Sequence, residues 1–507
     1  MRRTAIHQHL SVAFAALAVA GAATLGEPGR LNVEPPRPYG PTPSAAQLAW
    51  HELEMNAFVH FTINTFTDRE WGEGDEPPRL FNPTDFDADQ IVGTFADAGF
   101  GGVILTCKHH DGFCLWPTET TAHSIEASPW RGGKGDMVRE IADAATRHGV
   151  RFGVYVSPWD RNNALYGTPE YVTEVYRPQL RELLNNYGDI FEVWFDGANG
   201  GTGYYGGANE ERRIDRQTYY HWDKTWAMVR TLAPNAVMFS DVGPGCRWIG
   251  NERGIAGDPC WATYTPRGPD GEERSAPGMS DYRQSPTGTR DGAAWIPGEC
   301  DVSIRPGWFW HENENDKVRG AANLMDLYLQ SVGRGANLLL NVPPDRRGCL
   351  HENDVANLHA FGEHLRATFG ENLAIGATFD ASDVRGEDPD RYGPARLVDA
   401  DRWSAWTTDD NVRTAEVIVT LSEPRTFNMI RLREDIRLGQ RVRGVSVDAW
   451  VDGTWSEVAS AESVGASRIW RVGAVTTDRV RVRVTEAAAC PALSDFGLYQ
   501  EPLPASP

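Results

Sequence analysis

The chain has 507 residues, with 49 Lys and Arg against 70 Asp and Glu, and therefore a formal net charge of −21. Hydrophobic residues make up 41% and charged residues 23%, a globular composition that argues against a largely disordered chain. The acidic balance argues against a nucleic-acid partner, whose phosphates need stripes of Lys and Arg, and against binding to an anionic membrane surface.

Residues 1–22 have the pattern of a secretory signal peptide. Two arginines precede an apolar run over residues 10–25, and small-residue cleavage patterns lie within residues 18–22. The run is short and rich in Ala, so a membrane anchor is the weaker interpretation. We therefore expect a secreted or periplasmic protein that has no membrane association after cleavage. Residues 23–45, which contain many Pro and Gly, are predicted to form an extended lead-in.

Residues 46–370 alternate between helical patterns and short apolar strands. Most of the helical stripes end at a Gly, which accepts the positive φ of a helix C-cap, and an apolar run follows. Apolar strands of this kind are typical of a parallel sheet buried on both faces. About eight strands over roughly 300 residues fit a closed (β/α)8 barrel better than a doubly wound sheet. The clearest predicted strands are 56–64, 102–106, 152–157, 190–196, 236–241 and 336–342.

The pattern changes near residues 370–376, where we place a domain boundary. Residues 371–507 contain short segments of alternating polarity, separated by clusters of Gly, Asp and Asn. This pattern predicts an all-β sandwich as the second domain. The predicted strands are 415–421, 428–434, 445–451, 468–472 and 479–485.

Polar and aromatic residues cluster where the predicted barrel strands end, which is where barrels of this type carry their chemistry. Carboxylates, imidazoles and indoles together suit the binding of a polyol and the cleavage of a glycosidic bond by two carboxyl groups. The 18 Trp residues outnumber the 15 Tyr, and Trp stacks well on flat apolar faces such as those of sugars. The set comprises His60, Glu70, Trp71, Lys108, His109, His110, Asp111, Tyr155, Trp159, Trp194, Asp196, Asp241, Asn251, Glu252, Arg253, Glu299, Asp301, Arg305, Trp308 and Trp310.

Simpler interpretations compete for several of these residues. An Asp that starts a loop, such as Asp196, often caps a helix. Glu252 stands between two glycines in a long loop, where a solvated carboxylate is the default. The run at residues 109–111 lacks both the HxH and the HExxH spacing, so we expect no metal there. Composition and spacing alone thus predict a barrel enzyme that acts on a polar, sugar-like substrate.

Seven segments together resemble glycoside hydrolase family 29, the α-L-fucosidases. They span roughly residues 45–370 and keep the family's order. Two of them, GNERG at 250–254 and DVSIRPGWF at 301–309, are most similar to the branch that favours α-1,3/1,4-linked fucose. The segments are 58–72, 99–118, 154–161, 192–200, 248–254, 299–311 and 337–348.

The resemblance implies a retaining exo-α-L-fucosidase that removes terminal fucose through a covalent fucosyl-enzyme. Asp196 matches the family nucleophile, and Glu252 matches the acid/base of that branch. The acid/base position is the least uniform element of the family, and a Gly-rich insertion separates Glu252 from Asp196. Glu299 therefore stays an alternative acid/base.

The resemblance also assigns a sugar pocket, and it implies a fucosylated oligosaccharide or glycoconjugate as substrate. It implies no metal and no organic cofactor. Arg305 and Trp308 are expected near the fucose or on the aglycone side. The residues that match pocket positions of the family are His60, Glu70, Trp71, His109, His110, Tyr155 and Trp194.

The second domain resembles discoidin-type (F5/8 type C) modules through residues 372–382 and 395–408. Modules of this type often bind glycans through loop aromatics, for which Trp403 and Trp406 are candidates here. Structural support of the barrel is the alternative role. For the whole chain, the alternatives to a fucosidase are a non-catalytic glycan-binding protein and a barrel glycosidase that acts on another sugar.

Overall fold

The computed structural model describes residues 33–502, so the predicted signal peptide lies outside the described residues. Residues 33–43 contain neither helix nor strand. Helix α1 (Ala45–His51) begins with a capping box, in which the Ser44 side chain accepts from the Gln47 backbone and the Gln47 side chain accepts in return from Ser44. Within the described residues, no helix is long and apolar enough to cross a bilayer.

Eight parallel strands close into a barrel, which confirms the predicted fold. Each strand pairs with its neighbours in the sequence, and the last strand pairs with the first. The strands are β1 (Met55–Val59), β2 (Gly102–Lys108), β3 (Arg151–Val156), β4 (Ile190–Trp194), β5 (Val237–Ser240), β6 (Cys246–Trp248), β7 (Gly298–Ser303) and β8 (Asn337–Asn341).

Helices pack around this barrel, although two connections depart from the regular (β/α)8 pattern. Only residues 241–245 join β5 to β6, too few for a helix, and the long connection 249–297 contains short strands and a single 3₁₀ turn. The helices are α2 (Ile63–Thr67), α3 (Ala88–Ala98), α4 (Met137–His148), α5 (Arg177–Asn186, after a π-helical turn at Tyr171–Tyr176), α6 (Trp222–Leu232), α7 (Ala321–Gln330) and α8 (Glu352–Phe369).

The interior of the barrel is built from alternate residues of each strand, because successive side chains of a strand point to opposite faces. On β4 the inward positions are Glu192 and Trp194, followed by Asp196 just beyond the strand. On β7 they include Glu299 and Asp301. The inward residues farther from the carboxyl ends of the strands, such as Glu192 and Glu299, are fully buried. Those at the carboxyl ends, such as Trp194 and Asp301, line a pocket.

The second domain is an antiparallel sheet of seven strands. Two pairs of segments that we predicted as separate strands are continuous: β11 and β14 are each 20 residues long. A bulge between Thr420 and Arg425 bends β11 without ending it, and Pro424 lies inside that bulge, where no ladder bond is lost. The strands are β9 (Thr378–Ala381), β10 (Trp406–Thr407), β11 (Ala415–Glu434), β12 (Val442–Val451), β13 (Thr454–Ala461), β14 (Arg468–Ala487) and β15 (Ala492–Tyr499), with the short helix α9 (Pro389–Tyr392) after β9.

The sandwich packs directly against the barrel. Met429, Ile469 and Tyr499 belong to the same buried apolar cluster as the barrel helices. Neither of the two Trp residues named as candidates for glycan binding has a fully exposed ring. Trp406 is fully buried, and Trp403 is half-buried, with the guanidinium groups of Arg402 and Arg437 over its ring and the cluster around Trp295 against it.

Candidate active site

A pocket of about 460 Å³ opens at the carboxyl ends of the barrel strands. It brings together most of the residues that the sequence singled out, although they are spread over about 250 positions of the chain. The residues of that set that line it are His60, Glu70, Trp71, His109, His110, Trp194, Asp196, Asp241, Glu252, Asp301 and Trp308.

Asp196 lies in the wall of this pocket, two residues after β4 ends. Its Oδ1 accepts from the backbone N–H of Ala198 at 2.7 Å, which makes a local turn rather than a helix cap. Its Oδ2 accepts from the Tyr155 hydroxyl at 2.9 Å. Burial raises the pKa of Asp196, while these two hydrogen bonds counteract that rise by stabilising the ionised form. Tyr155, a predicted pocket residue, therefore acts on the site through Asp196.

His60 and His110 are neutral imidazoles that offer hydrogen-bond acceptors. Burial is the main cause that lowers the pKa of each to about 3. The Asn341 amide nitrogen donates to Ser303 and to the Trp308 carbonyl, so its oxygen is left to accept from Nδ1 of His60 at 2.8 Å. The tautomer that this network assigns leaves Nε2 of His60 as an acceptor.

His110 has the same arrangement. Its Nδ1 lies 2.6 Å from the Ser157 hydroxyl, which itself donates to the Trp159 carbonyl and must therefore accept from His110. Nε2 is then the acceptor, and it lies 3.8 Å from Oδ2 of Asp196. The neighbouring ring of His109 is also buried, with its centroid 4.1 Å from that of His110, and burial lowers the pKa of His109 well below its usual value.

The carboxylate of Glu70 lines the pocket but is already bound by the segment that carries Trp308. It accepts from the backbone N–H of Trp308 at 2.9 Å and of Phe309 at 3.2 Å, and it lies 2.7 Å from Nε2 of His311. Glu70 thus holds Trp308 at the mouth. On the other side, Trp71 is 50% exposed and makes an edge contact with His110.

Glu252 projects into the pocket from the connection between β6 and β7, and its side chain is exposed. The Trp308 indole N–H lies 3.4 Å from its Oε2. Beside it Asp301 accepts from the Trp248 indole at 2.7 Å. Burial, followed by the nearby charge of Glu252, raises the pKa of Asp301 well above its usual value.

Glu299, the alternative acid/base, does not line the pocket. Its side chain is fully buried below Trp194, whose indole N–H donates to Oε2 of Glu299 at 3.0 Å. The Trp194 ring therefore separates the Glu299 carboxyl from the space where a glycoside would bind. Of the two candidate acid/base residues, Glu252 is the one that lines the pocket.

Arg305 also lies outside the pocket, contrary to our expectation. Its guanidinium is fully buried and donates to both oxygens of Asp354 and to the side chain of Asn315, with 2.7 Å as the shortest distance. Strand β7 ends at Ser303, and the following turn directs Arg305 toward the N-terminus of α8 rather than into the pocket.

Several lining residues were not among those that the sequence singled out. Phe58, Phe239 and Trp248 occupy strand positions whose side chains point into the barrel, so the period of two could have identified them. Arg216, Gly278 and Tyr282 come from loops that have no periodic signal. The loop residues are fixed to the strands, because Asp241 accepts from the Tyr282 hydroxyl and from the Gly278 N–H at 2.7 Å each.

Comparison with known proteins agrees with this geometry. Residues 42–371 match the family model for α-L-fucosidase, and residues 379–495 match that for the F5/8 type C domain. α-L-Fucosidase 1 of Arabidopsis thaliana is 39% identical over 92% of this chain and 89% of its own length.

Solved structures show the same relationship. A glycoside hydrolase 29 family member from a rumen bacterium is 41% identical, with a TM-score of 0.81 over 93% of this chain and 79% of that one. A Ruminococcus gnavus GH29 fucosidase in complex with fucose is 31% identical, with a TM-score of 0.80 over 93% and 97%. The chain thus belongs to the α-L-fucosidases of glycoside hydrolase family 29, and it carries an F5/8 type C domain after the catalytic barrel.

Proposed function

We propose that the chain is a secreted, retaining exo-α-L-fucosidase that removes terminal α-1,3/1,4-linked fucose from glycans. The observation that carries the proposal is the presence of Asp196 and Glu252 in one pocket, with neutral imidazoles between the carboxylate and the aromatic mouth. The signal-peptide pattern of residues 1–22 supports export.

In the proposed first step, Oδ2 or Oδ1 of Asp196 attacks the anomeric carbon, and the bond from that carbon to the leaving oxygen breaks. Glu252 gives its proton to the leaving oxygen, which departs as a free hydroxyl. In the second step, Glu252 takes a proton from water, whose oxygen displaces Asp196 from the anomeric carbon. Two inversions give net retention, and Glu252 is protonated again for the next cycle.

The lining of the pocket suits fucose. Fucose has a methyl group where other hexoses have a hydroxymethyl group, and the pocket combines indole surface from Trp71, Trp194 and Trp308 with polar groups. The acceptor nitrogens of His60 and His110 suit sugar hydroxyls, which can donate to them. The Ruminococcus gnavus relative was solved with fucose bound.

The proposed linkage preference has its support at the mouth. Trp248 and Tyr282 meet edge to face at 5.2 Å, and Tyr282 is 39% exposed. These rings add aromatic surface to the side of the pocket from which Glu252 projects, and we propose that a second branch of the glycan is held there. This supports a branched α-1,3/1,4-fucosylated substrate.

A glycan-panel hydrolysis assay tests the activity. We expect fucose to be released from α-1,3/1,4-fucosylated trisaccharides, and Asp196→Asn to lower the rate by at least about 10³-fold with an unchanged melting temperature. The exposed Asp270→Asn is the matched control and should keep full activity. Binding without turnover would favour a lectin, and release of a different sugar would contradict the fucose assignment.

Glu252 has a separate assay on activated aryl fucosides. Glu252→Ala should lose most activity toward poor leaving groups and keep more toward good ones, which need no protonation. External azide should partly restore the rate by displacing Asp196 from the fucosyl-enzyme in place of activated water, with an α-fucosyl azide as product because this displacement is the second inversion. The control is Glu273→Ala, an exposed Glu in the same connection. Wild-type leaving-group dependence in Glu252→Ala would contradict its assignment as acid/base.

A further inference from the structure

Two buried carboxyl groups lie together in the barrel interior, one layer below the pocket. Glu192 of β4 and Glu299 of β7 are both fully buried. One oxygen of each, and the sulfur of Cys246 on β6, all lie within 4.8 Å of one another. The mechanism proposed above uses neither carboxyl.

Indole N–H groups bind the outer oxygens of this pair. Trp50 donates to Oε2 of Glu192 at 2.8 Å, and Trp194 donates to Oε2 of Glu299 at 3.0 Å. The Cys246 thiol lies 3.6 Å from Oε1 of Glu192. Oε1 of Glu299 is buried with no protein donor.

Within residues 33–502, no cation compensates the pair, since neither carboxyl forms an ion pair with Lys, Arg or His. The nearby Arg247 of β6 donates instead to the carbonyls of Ser285 and Ile296, and the neighbouring Asp301 of β7 is a carboxyl group rather than a cation. Two ionised carboxylates without a counterion at this depth would cost far more than a shared proton.

The electrostatics agree with one bound proton. Burial raises the pKa of Glu192 above its usual value. Burial, followed by the charge of Glu192, raises the pKa of Glu299 well above its usual value. The paired carboxyls of aspartic proteases illustrate how close carboxyl groups hold a proton between them.

The pair is connected to the pocket through Trp194. This indole stacks on Phe239 at 3.9 Å between centroids and on Tyr155 at 5.3 Å. Trp194 forms part of the pocket lining, and Asp196 follows two residues later. A shift of the indole would therefore move both the sugar-contacting surface and the Tyr155 ring whose hydroxyl binds Asp196.

We propose that Glu192 and Glu299 share one proton and act as positioning residues, with Glu299 fixing the Trp194 indole beneath Asp196. The functional part of this proposal rests on the fucosidase activity proposed above. The shared proton can be tested without turnover.

Infrared difference spectroscopy at neutral pH tests the shared proton in the intact protein. We expect the wild type minus Glu299→Gln spectrum to show the band of a protonated carboxyl group, and Glu192→Gln to remove the same band. Glu312→Gln, an exposed control, should leave it unchanged. Absence of the band from the wild type, or its persistence in both variants, would overturn the shared proton. So would a stoichiometric metal ion that is found in the wild type and is lost in Cys246→Ala.

Variant kinetics test the positioning role. Glu299→Gln keeps an oxygen for the Trp194 N–H and supplies an amide N–H to Glu192 in place of the proton, so it should keep most of the wild-type kcat/KM. Glu299→Ala should lower kcat/KM by about 10–100-fold and weaken fucose binding. An unchanged kcat/KM in Glu299→Ala, or equal loss in Glu299→Gln and Glu299→Ala, would overturn the positioning role.

The proposed fucosidase activity and the proposed carboxyl pair can be contradicted independently of each other. If the wild type releases no fucose from any substrate, the proposed function is wrong, while the infrared band still reports on the carboxyl pair. If Glu299→Ala does not fold, the infrared band of the wild type and of Glu299→Gln still tests the shared proton, and the kcat/KM of Glu299→Gln still tests the positioning role.

Discussion

At the scale of single residues, the ionisation of Asp196 limits the proposed chemistry. A nucleophilic carboxylate must be deprotonated, yet burial raises the pKa of Asp196 and favours its neutral form. The Ala198 N–H and the Tyr155 hydroxyl donate to the ionised form and hold the pKa down. The activity should therefore be lost as the pH falls through the pKa of Asp196, and the position of that acid limb should depend on Tyr155.

Tyr155→Phe removes the hydroxyl and keeps the ring that stacks on Trp194. Because one stabilising hydrogen bond to the carboxylate is lost, the pKa of Asp196 should rise further. The acid limb of the pH profile of kcat/KM should shift upward by about one pH unit, with a smaller change on the alkaline side. Tyr187→Phe is a matched control, since Tyr187 donates to Asp136 at 2.9 Å outside the pocket. A shift in the control, or none in Tyr155→Phe, would show that the hydroxyl does not set the ionisation of Asp196.

At the scale of elements, the sequence predicted the barrel because its strands are apolar runs that follow helical stripes ending in Gly. Strand ends were less predictable, because local hydrogen bonds decide them. The predicted strand 56–64 stops at Val59, since Thr62 caps helix α2 by accepting from the Asn64 N–H. The bulge in β11 was missed, because its Pro and charged residues have the composition of a turn.

For the site, the sequence predicted the residues at strand ends but not those that lie in turns and loops. Trp194 ends strand β4, and His60 and Asp196 lie just beyond their strands, so these positions placed all three at the mouth. Arg305 was misplaced because it lies in a turn beyond β7, where no period gives the direction of the side chain, and because Asp354, its partner, is distant in sequence. Tyr282 was missed for the same reason, since only a tertiary bond to Asp241 brings it to the pocket.

The segment after β7 also depends on tertiary hydrogen bonds. The Glu70 carboxylate fixes it by accepting from the backbone N–H groups of Trp308 and Phe309. Glu70→Gln replaces one acceptor oxygen with an N–H group that cannot accept. We expect kcat/KM to fall by about 10–100-fold, because Trp308 loses its fixed place. Hydrogen exchange over residues 305–311 should rise at the same time. Glu312→Gln, in the same segment but exposed, should change neither quantity. Lost activity with unchanged exchange would instead indicate a direct contact of Glu70 with the sugar.

At the scale of the whole molecule, the sandwich holds the connection that carries Glu252 and Tyr282. The guanidinium of Arg468 binds the carboxylate of Asp258 at 2.8 Å through two bonds. A second group of contacts lies nearby. The Gln440 amide accepts from the Ala262 N–H at 2.8 Å and donates to the Cys260 carbonyl at 3.3 Å, and the Ser463 hydroxyl accepts from the Cys260 N–H at 3.2 Å. These contacts favour structural support of the barrel over glycan binding as the role that we expect of the second domain.

Gln440→Leu tests this support, because it leaves the buried N–H of Ala262 without an acceptor, at a cost of about 1–3 kcal/mol. Hydrogen exchange should increase over residues 249–297 and stay unchanged in the barrel strands β1–β4. The kcat/KM for fucosides should fall, because Glu252 and Tyr282 lie on the loosened connection. Gln500→Leu, at an exposed position of the same domain, is the matched control and should leave exchange and activity as in the wild type. If Gln440→Leu lowers the melting temperature but leaves the exchange of the connection unchanged, the sandwich stabilises the fold without supporting the site.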